Sequence, residues 1–330
     1  MEVYFDNSAT TRVLDSVRDV VVKVMTEDYG NPSAKHRKGM EAEQYVRQAA
    51  SRIAKTLKVK DKEILFTSGG TESNNMALIG TAMANQRAGK HIISTRIEHA
   101  SVYNPLAFLE QQGFEVTYLS VDSKGHISLE ELEASIRPDT ILVSVMYVNN
   151  EVGAIEPIEE IASLVHGRNP AILLHVDAIQ AYGKLVIHPK KQGIDLLSVS
   201  AHKFHGPKGV GFVFIDGRVK IHPLLYGGGQ QKDLRSGTEN VPGIAGMGAA
   251  AQEMYTDHQE KVDYITGLKD YMIDRMGQLE GVTVNSLKGN QGAPQIVSAG
   301  FAGVRSEVLL HALEEKGIYV SSGSACSSNH

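Results

Sequence analysis

The sequence predicts an α/β fold, with a mostly parallel sheet in a large domain and a smaller α+β domain. Three observations predict it. From about residue 63 to 216, short apolar runs alternate with amphipathic stretches. Most of these runs are continuous rather than alternating, as in strands covered on both faces. After Gly281 the order changes to strand, strand, helix, strand. The length of 330 residues agrees, because it exceeds one ordinary domain of roughly 100–200 residues.

In chain order, the strand candidates of the large domain are 63–68 (EILFTS), 91–96, 116–121, 140–148 (TILVSVMYV), 171–178 (AILLHVDA), 195–200 and 210–215. Helical patterns lie between them, as at 72–86 and 157–166, and such strand–helix–strand repetition builds a parallel sheet covered by helices. Residues 242–280 read as one or two long helices, with apolar positions at helical spacing from 254 to 276. The smaller domain then reads as strands at 282–285 and 295–300, a helix at 307–315 and a strand at 318–321. The expected division is 14–257 for the large domain, with 1–13 and 258–330 forming the small one.

Composition narrows the function. The 42% hydrophobic content supports a sizeable core, and a net charge of −5 argues against nucleic-acid binding through bulk positive charge. The first residues, MEVYFD, carry no basic, apolar leader pattern, and no apolar run approaches the roughly 20 residues of a membrane helix. The one cysteine, Cys326, excludes an internal disulfide and a multi-cysteine metal site. These observations predict a soluble, cytoplasmic protein without a bound metal.

Ligands of open α/β sheets sit beyond the carboxyl ends of the strands, so the polar residues after each apolar run are the first candidates for chemistry. They are Ser68-Gly69-Gly70-Thr71, Glu98-His99, Asn149-Asn150, Asp177 and Ser200-Ala201-His202-Lys203. The glycine turn at 69–70 opens a helix and has the makings of a phosphate cradle, although alone it reads more readily as a plain N-cap. It is neither a Walker motif nor GxGxxG. Asp177 ends an apolar strand, where a carboxylate needs a cationic partner. A pyridinium nitrogen is one such partner, and a helix cap or an ion pair is the ordinary alternative. Gln180 lies within reach of the same ligand. Lys203 follows a buried strand, where desolvation makes an amine competent for Schiff-base chemistry. Lys208 is its rival, in a Gly-Pro-Lys-Gly turn that favours solvation.

Together these residues carry a resemblance. The chain resembles the cysteine desulfurases of the NifS/IscS kind, pyridoxal-phosphate-dependent enzymes of aminotransferase fold type I. The stretches that match are YFDNSATT from Tyr4, GNPS from Gly30, FTSGGTESNN from Phe66, EHA from Glu98, VNNEVG from Val148, HVDAIQ from His175, SAHKFHGPKG from Ser200, LRSGTENVPG from Leu234 and SSGSACSSNH from Ser321. They run from one end of the chain to the other in the family's order.

The resemblance implies pyridoxal 5'-phosphate as cofactor, with Lys203 as its covalent anchor and Asp177 on the ring nitrogen. It implies Gln180 at the ring hydroxyl, Asn150 close by, and Gly70, Thr71, Ser200 and His202 at the phosphate. Thr238 would reach the phosphate of a neighbouring subunit in a homodimer. His99 would stack on the ring and move protons. Cys326 would be the nucleophile, and its setting among small residues predicts a mobile loop that suits a travelling thiol. The implied reaction takes the sulfur of L-cysteine to a Cys326 persulfide, releases L-alanine, and passes the sulfur to an iron–sulfur scaffold or a tRNA-thiolation enzyme. No membrane or direct nucleic-acid partner is expected. The family supplies an arginine for the substrate carboxylate from beyond the cysteine loop; the sequence ends at His330, so that residue is unassigned. A selenocysteine lyase of the same fold and a catalytically weak binding platform are the competing readings.

Overall fold

The protein is described by a computed structural model, which covers residues 2–323. The strands are β1 (Val3–Tyr4), β2 (Ile64–Thr67), β3 (His91–Thr95), β4 (Glu115–Leu119), β5 (Thr140–Met146), β6 (Leu173–Asp177), β7 (Leu196–Ser200), β8 (Gly211–Ile215), β9 (Val282–Val284), β10 (Ala299–Phe301) and β11 (Ile318–Tyr319). The helices are α1 (Asp15–Thr26), α2 (Arg37–Leu57), α3 (Gly70–Asn75), α4 (Thr81–Asn85), α5 (Ala100–Gln111), α6 (Leu129–Ser135), α7 (Ile158–Arg168), α8 (Pro189–Gln192), α9 (Val241–Tyr255), α10 (His258–Met276) and α11 (Ser306–Glu314). A π-helical turn, Met76–Gly80, joins α3 to α4 in one rod.

Seven strands form the central sheet in the order β2-β8-β7-β6-β5-β3-β4. The predicted apolar runs all become strands of it, and β5, β6 and β7 are buried at every position. Parallel pairing joins β7, β6, β5, β3 and β4. The exception is β8, antiparallel to both β7 and β2. Its direction follows from its connection, since residues 201–210 are too few for the crossover a parallel neighbour needs. Because β8 reverses twice, β2 runs in the same sense as β7. The carboxyl ends of β2, β3, β5, β6 and β7 therefore meet at one edge.

The stretch predicted as one or two helices is two, α9 and α10, broken where Asp257 takes a left-handed backbone conformation. The second strand of the C-terminal part begins at Ala299 rather than 295. Tertiary contacts divert the residues before it: Ala293 donates its N–H to the Gly153 carbonyl, and Gln295 donates Nε2 to the Gln180 carbonyl. At the other end, β1 pairs in parallel with β11, matching Val3 to Ile318 and Tyr4 to Tyr319. Among the described residues, no helix is long and apolar enough to cross a membrane.

An aromatic cluster anchors the turn after β7. Tyr182 packs edge-on against Phe204 and Phe212, with centroids 4.9 and 5.3 Å away, and lies 5.3 Å from Tyr255. Its hydroxyl shares a 2.7 Å hydrogen bond with the Thr56 hydroxyl. Phe204 follows Lys203 directly, so this core fixes the backbone that presents the lysine. Replacing Tyr182 by Ala should cost about 3–5 kcal/mol, and by Phe only about 1 kcal/mol. Urea unfolding of the two variants measures both; equal losses would show that the hydroxyl, not the ring packing, sets the stability.

Candidate active site

A cavity of about 240 Å³ lies at that strand edge, lined by Gly70, Thr71, His99, Asn150, Asp177, Gln180, Ser200, His202 and Lys203 among others. Nine of the residues named from sequence thus come together. Thr238 does not: it is exposed and does not line the cavity. Cys326 lies outside the described residues, while Gly323 lines the cavity. A groove of about 480 Å³ adjoins it and shares Thr71, His99 and Ser101.

The glycine turn is built from backbone that other residues could not follow. Gly69 has φ +149°, where a side chain is strained. A Cβ on Gly70 would stand 2.3 Å from Ile179 Cδ1. The chain can pass this close to β6 only without side chains, and it brings the first N–H groups of α3 to the cavity wall.

Asp177 closes β6, the middle strand, and is buried. Its Oδ1 accepts the Ile179 N–H at 2.9 Å, and its Oδ2 accepts Asn74 Nδ2 at 2.8 Å. Burial pushes the carboxyl up, against the pull of these two donors and of His99 and Lys203. Lys203 ends the short 3-10 turn Ala201–Lys203. Its Nζ donates to the carbonyls of Ser8 (2.5 Å) and Ala9 (2.8 Å), so the N-terminal segment forms part of the cavity wall. Lys184 Nζ donates to the Lys203 carbonyl, and burial next to Lys203 pulls the Lys184 amine down to about 7. Burial and the neighbouring lysines pull His202 down to about 4, leaving it neutral at pH 7, with Nδ1 3.1 Å from Thr10 Oγ1.

His99 is the N-cap of α5: its Nδ1 accepts the Ser101 N–H at 3.0 Å and lies 2.8 Å from Ser101 Oγ. Burial lowers its proton affinity, Lys203 lowers it further, and Asp177 opposes both. The ring is therefore neutral near pH 7, with its proton on Nε2. Gln180 donates Nε2 to the Ser8 carbonyl at 2.9 Å, and its Oε1 is buried with no partner. Asn149, which the sequence put beside Asn150 as a candidate, is structural. Its Oδ1 accepts the N–H groups of Glu151 and Val152 and so shapes the turn.

Glu98 is a second departure. It follows a strand as the crevice residues do, yet it does not line the cavity. Its Oε1 accepts the Thr95 hydroxyl at 2.9 Å and the Met146 N–H at 2.8 Å, and its Oε2 is buried without a partner. Burial, then the nearby Asp177 charge, push this carboxyl up to about 8. Two residues that sequence reasoning passed over also emerge. Asn74 and Ser101 are buried and tie Asp177 to His99, with Asn74 Nδ2 donating to Ser101 Oγ at 2.9 Å. An asparagine within a helix and a serine in a helix's first turn carry no ligand signal of their own.

Comparison with known proteins completes the description. The family model for aminotransferase class-V matches residues 3–330. The chain is 44% identical over 329 residues to "Cysteine desulfurase IscS" of Dictyoglomus turgidum, covering 99% of this chain and 83% of that protein. Among solved structures it superimposes on a "NifS-like protein" with a TM-score of 0.95 at 42% identity, covering 98% of this chain and 88% of the other. It also matches "SspA in complex with cysteine", with a TM-score of 0.85 at 33% identity, covering 99% and 91% of the two chains.

The raised Glu98 carboxyl has a measurable consequence. Between the ordinary carboxylate value and about 8, the folded state holds a proton that the unfolded state releases. Stability therefore falls as pH rises through that window, by up to roughly 1.4 kcal/mol per pH unit for this one group. Glu98→Gln, which keeps the shape of the neutral acid, should flatten the decline in melting temperature between pH 6 and 9. A variant that declines as steeply as the parent would show Glu98 to be ionised in the fold.

Proposed function

The chain belongs to the aminotransferase class-V family, and from that premise we propose that it is a cysteine desulfurase using pyridoxal 5'-phosphate. It takes the sulfur from L-cysteine and leaves L-alanine. The observation that carries this reading is the convergence of Asp177, His99 and Lys203 on one cavity. Its relatives, named as cysteine desulfurase and NifS-like, support the reaction, and the cysteine complex of SspA supports the substrate.

The residues fit the cofactor on three counts. Gln180 Oε1 is a buried acceptor that lacks a donor, which a ring hydroxyl supplies. Gly70, which carries no side chain, and Thr71 bring the start of α3 to the cavity wall, where a phosphate would find backbone N–H groups. Asp177 is a buried carboxyl whose own neighbours only partly offset its burial, and a protonated ring nitrogen offsets the rest. Lys203 Nζ would anchor the cofactor, with Asp177 on the ring nitrogen and Asn150 beside Gln180. Gly70, Thr71, Ser200 and His202 would hold the phosphate, with Thr238 of a second copy completing it in a homodimer. When bound, pyridoxal phosphate supplies an electron sink for the carbon that loses its proton.

The chain's own groups perform the rest. Lys203 Nζ, gripped by Ser8 and Ala9, sits on a fixed turn and takes the substrate Cα proton. Neutral His99, with its proton on Nε2, would stack against the cofactor ring and relay protons. Cys326 Sγ attacks as thiolate, so its bond to the substrate sulfur forms as the Cβ–S bond breaks. The resulting persulfide passes to an acceptor protein, either an iron–sulfur scaffold or a tRNA-thiolation enzyme. On this reading 14–257 is the large domain, and 1–13 with 258–330 the small one, as the β1–β11 pairing supports.

Three substitutions test the assignment. After incubation with pyridoxal phosphate and borohydride reduction, the parent and Lys208→Ala should each gain one cofactor in intact mass, and Lys203→Ala none. The opposite pattern moves the anchor to Lys208. Cys326→Ser should keep cofactor binding but lose sulfide and alanine production by at least about 100-fold, since a hydroxyl forms no persulfide. Near-parental alanine formation removes Cys326 from the mechanism.

A further inference from the structure

A directed hydrogen-bond chain runs from Asp177 to His99 through two residues outside the cavity chemistry just described. An ionised carboxylate only accepts, so the Asn74 side chain facing Asp177 Oδ2 at 2.8 Å must present its NH2 group. The same nitrogen donates its second hydrogen to Ser101 Oγ at 2.9 Å. That oxygen accepts there, which leaves its own hydrogen for His99 Nδ1, 2.8 Å away. Nδ1 also receives the Ser101 N–H at 3.0 Å. With Asp177 ionised, the Asn74 nitrogen donates to both the carboxylate and Ser101 Oγ, and the Ser101 N–H makes Nδ1 an acceptor at the other end. Asn74 Oδ1, by contrast, is buried with no partner, so the residue contributes through its nitrogen.

We propose that Asn74 and Ser101 are positioning residues that hold Asp177 and His99 in opposite charge states, Asp177 ionised and His99 neutral with its proton on Nε2. The inference rests on the reading that Asp177 pairs with the ring nitrogen and His99 moves protons. A hydrogen bond donated to a carboxylate favours its charged form, and one donated into Nδ1 disfavours the imidazolium. A single amide therefore serves both ends. Among the described residues, the charged groups that act on the ring are Asp177 of β6, which raises its proton affinity, and Lys203 after β7, which lowers it. The other titratable neighbours are silent near pH 7. Glu98, adjacent in the chain, is protonated; His202 is neutral; and Glu72 of α3 is engaged by Arg235 at 2.8 Å. Without Asn74 the Ser101 hydroxyl loses its orientation and Asp177 loses a donor, so both groups drift towards the protonated form.

The test uses the full chain without cofactor, labelled with 15N-histidine, the His99 signal being identified by its absence from His99→Gln. In the parent, His99 should show the Nε2-protonated tautomer and titrate below the ordinary histidine value. Ser101→Ala should raise its midpoint by about one pH unit, Asn74→Ala should raise it in the same direction, and Ser101→Thr, which keeps the hydroxyl, should restore it. Asn74→Ala should also weaken pyridoxal-phosphate binding about tenfold in a fluorescence titration. A midpoint unmoved in both alanine variants, or a parent ring protonated on Nδ1, overturns the proposal. The underlying reading fails separately: it is lost if His99→Gln turns over cysteine at the parental rate, whatever the midpoints do.

Discussion

The middle strand of the sheet ends on a carboxyl group, and much of the site is arranged around that fact. Removing a charge like that of Asp177 from water costs several kcal/mol unless partners replace the lost hydration. Here they come from four directions. The turn after β6 offers the Ile179 N–H, α3 offers the Asn74 amide, and His99 and Lys203 stand near enough to favour the ion. Glu98, the other acid nearby, gives up its charge instead. Burial pushes both carboxyls up, and at Asp177 the Ile179 N–H, the Asn74 amide and Lys203 work against it.

The same constraint explains which parts of the site were legible in the sequence. Asp177, His99 and Lys203 stand immediately after apolar runs, and strand–ligand geometry alone marks such positions. The runs themselves were readable because strands covered on both faces need continuous apolar residues. Strand order was not, since pairing joins segments far apart in the chain. Nor was the reversal of β8, which depends on the length of one connection. Asn74 and Ser101 stayed hidden because a buried polar residue announces its partner only once the partner is in place. Glu98 misled for the same reason: its position suggested the crevice, and its hydrogen bonds to Thr95 and Met146 turn it into the wall behind.

The proposed sulfur chemistry asks for a rigid centre. Rigidity comes from the aromatic cluster beneath Lys203 and from the backbone carbonyls that grip its amine. Gly323 brings the chain to the cavity only a short way before Cys326.

The pairing of β1 with β11 also fixes an order of events during synthesis. Residues 3 and 4 are synthesised more than 300 residues ahead of their partners at 318 and 319. Until they are made, β1 has no edge to join, and the Ser8–Ala9 segment that follows it lacks its anchor in the small sheet. The large sheet can form in the meantime, because none of its strands needs either end of the chain. The cavity therefore stays open on its N-terminal side until β11 has been made, and closing it joins segments far apart in the sequence, the slowest kind of contact to make.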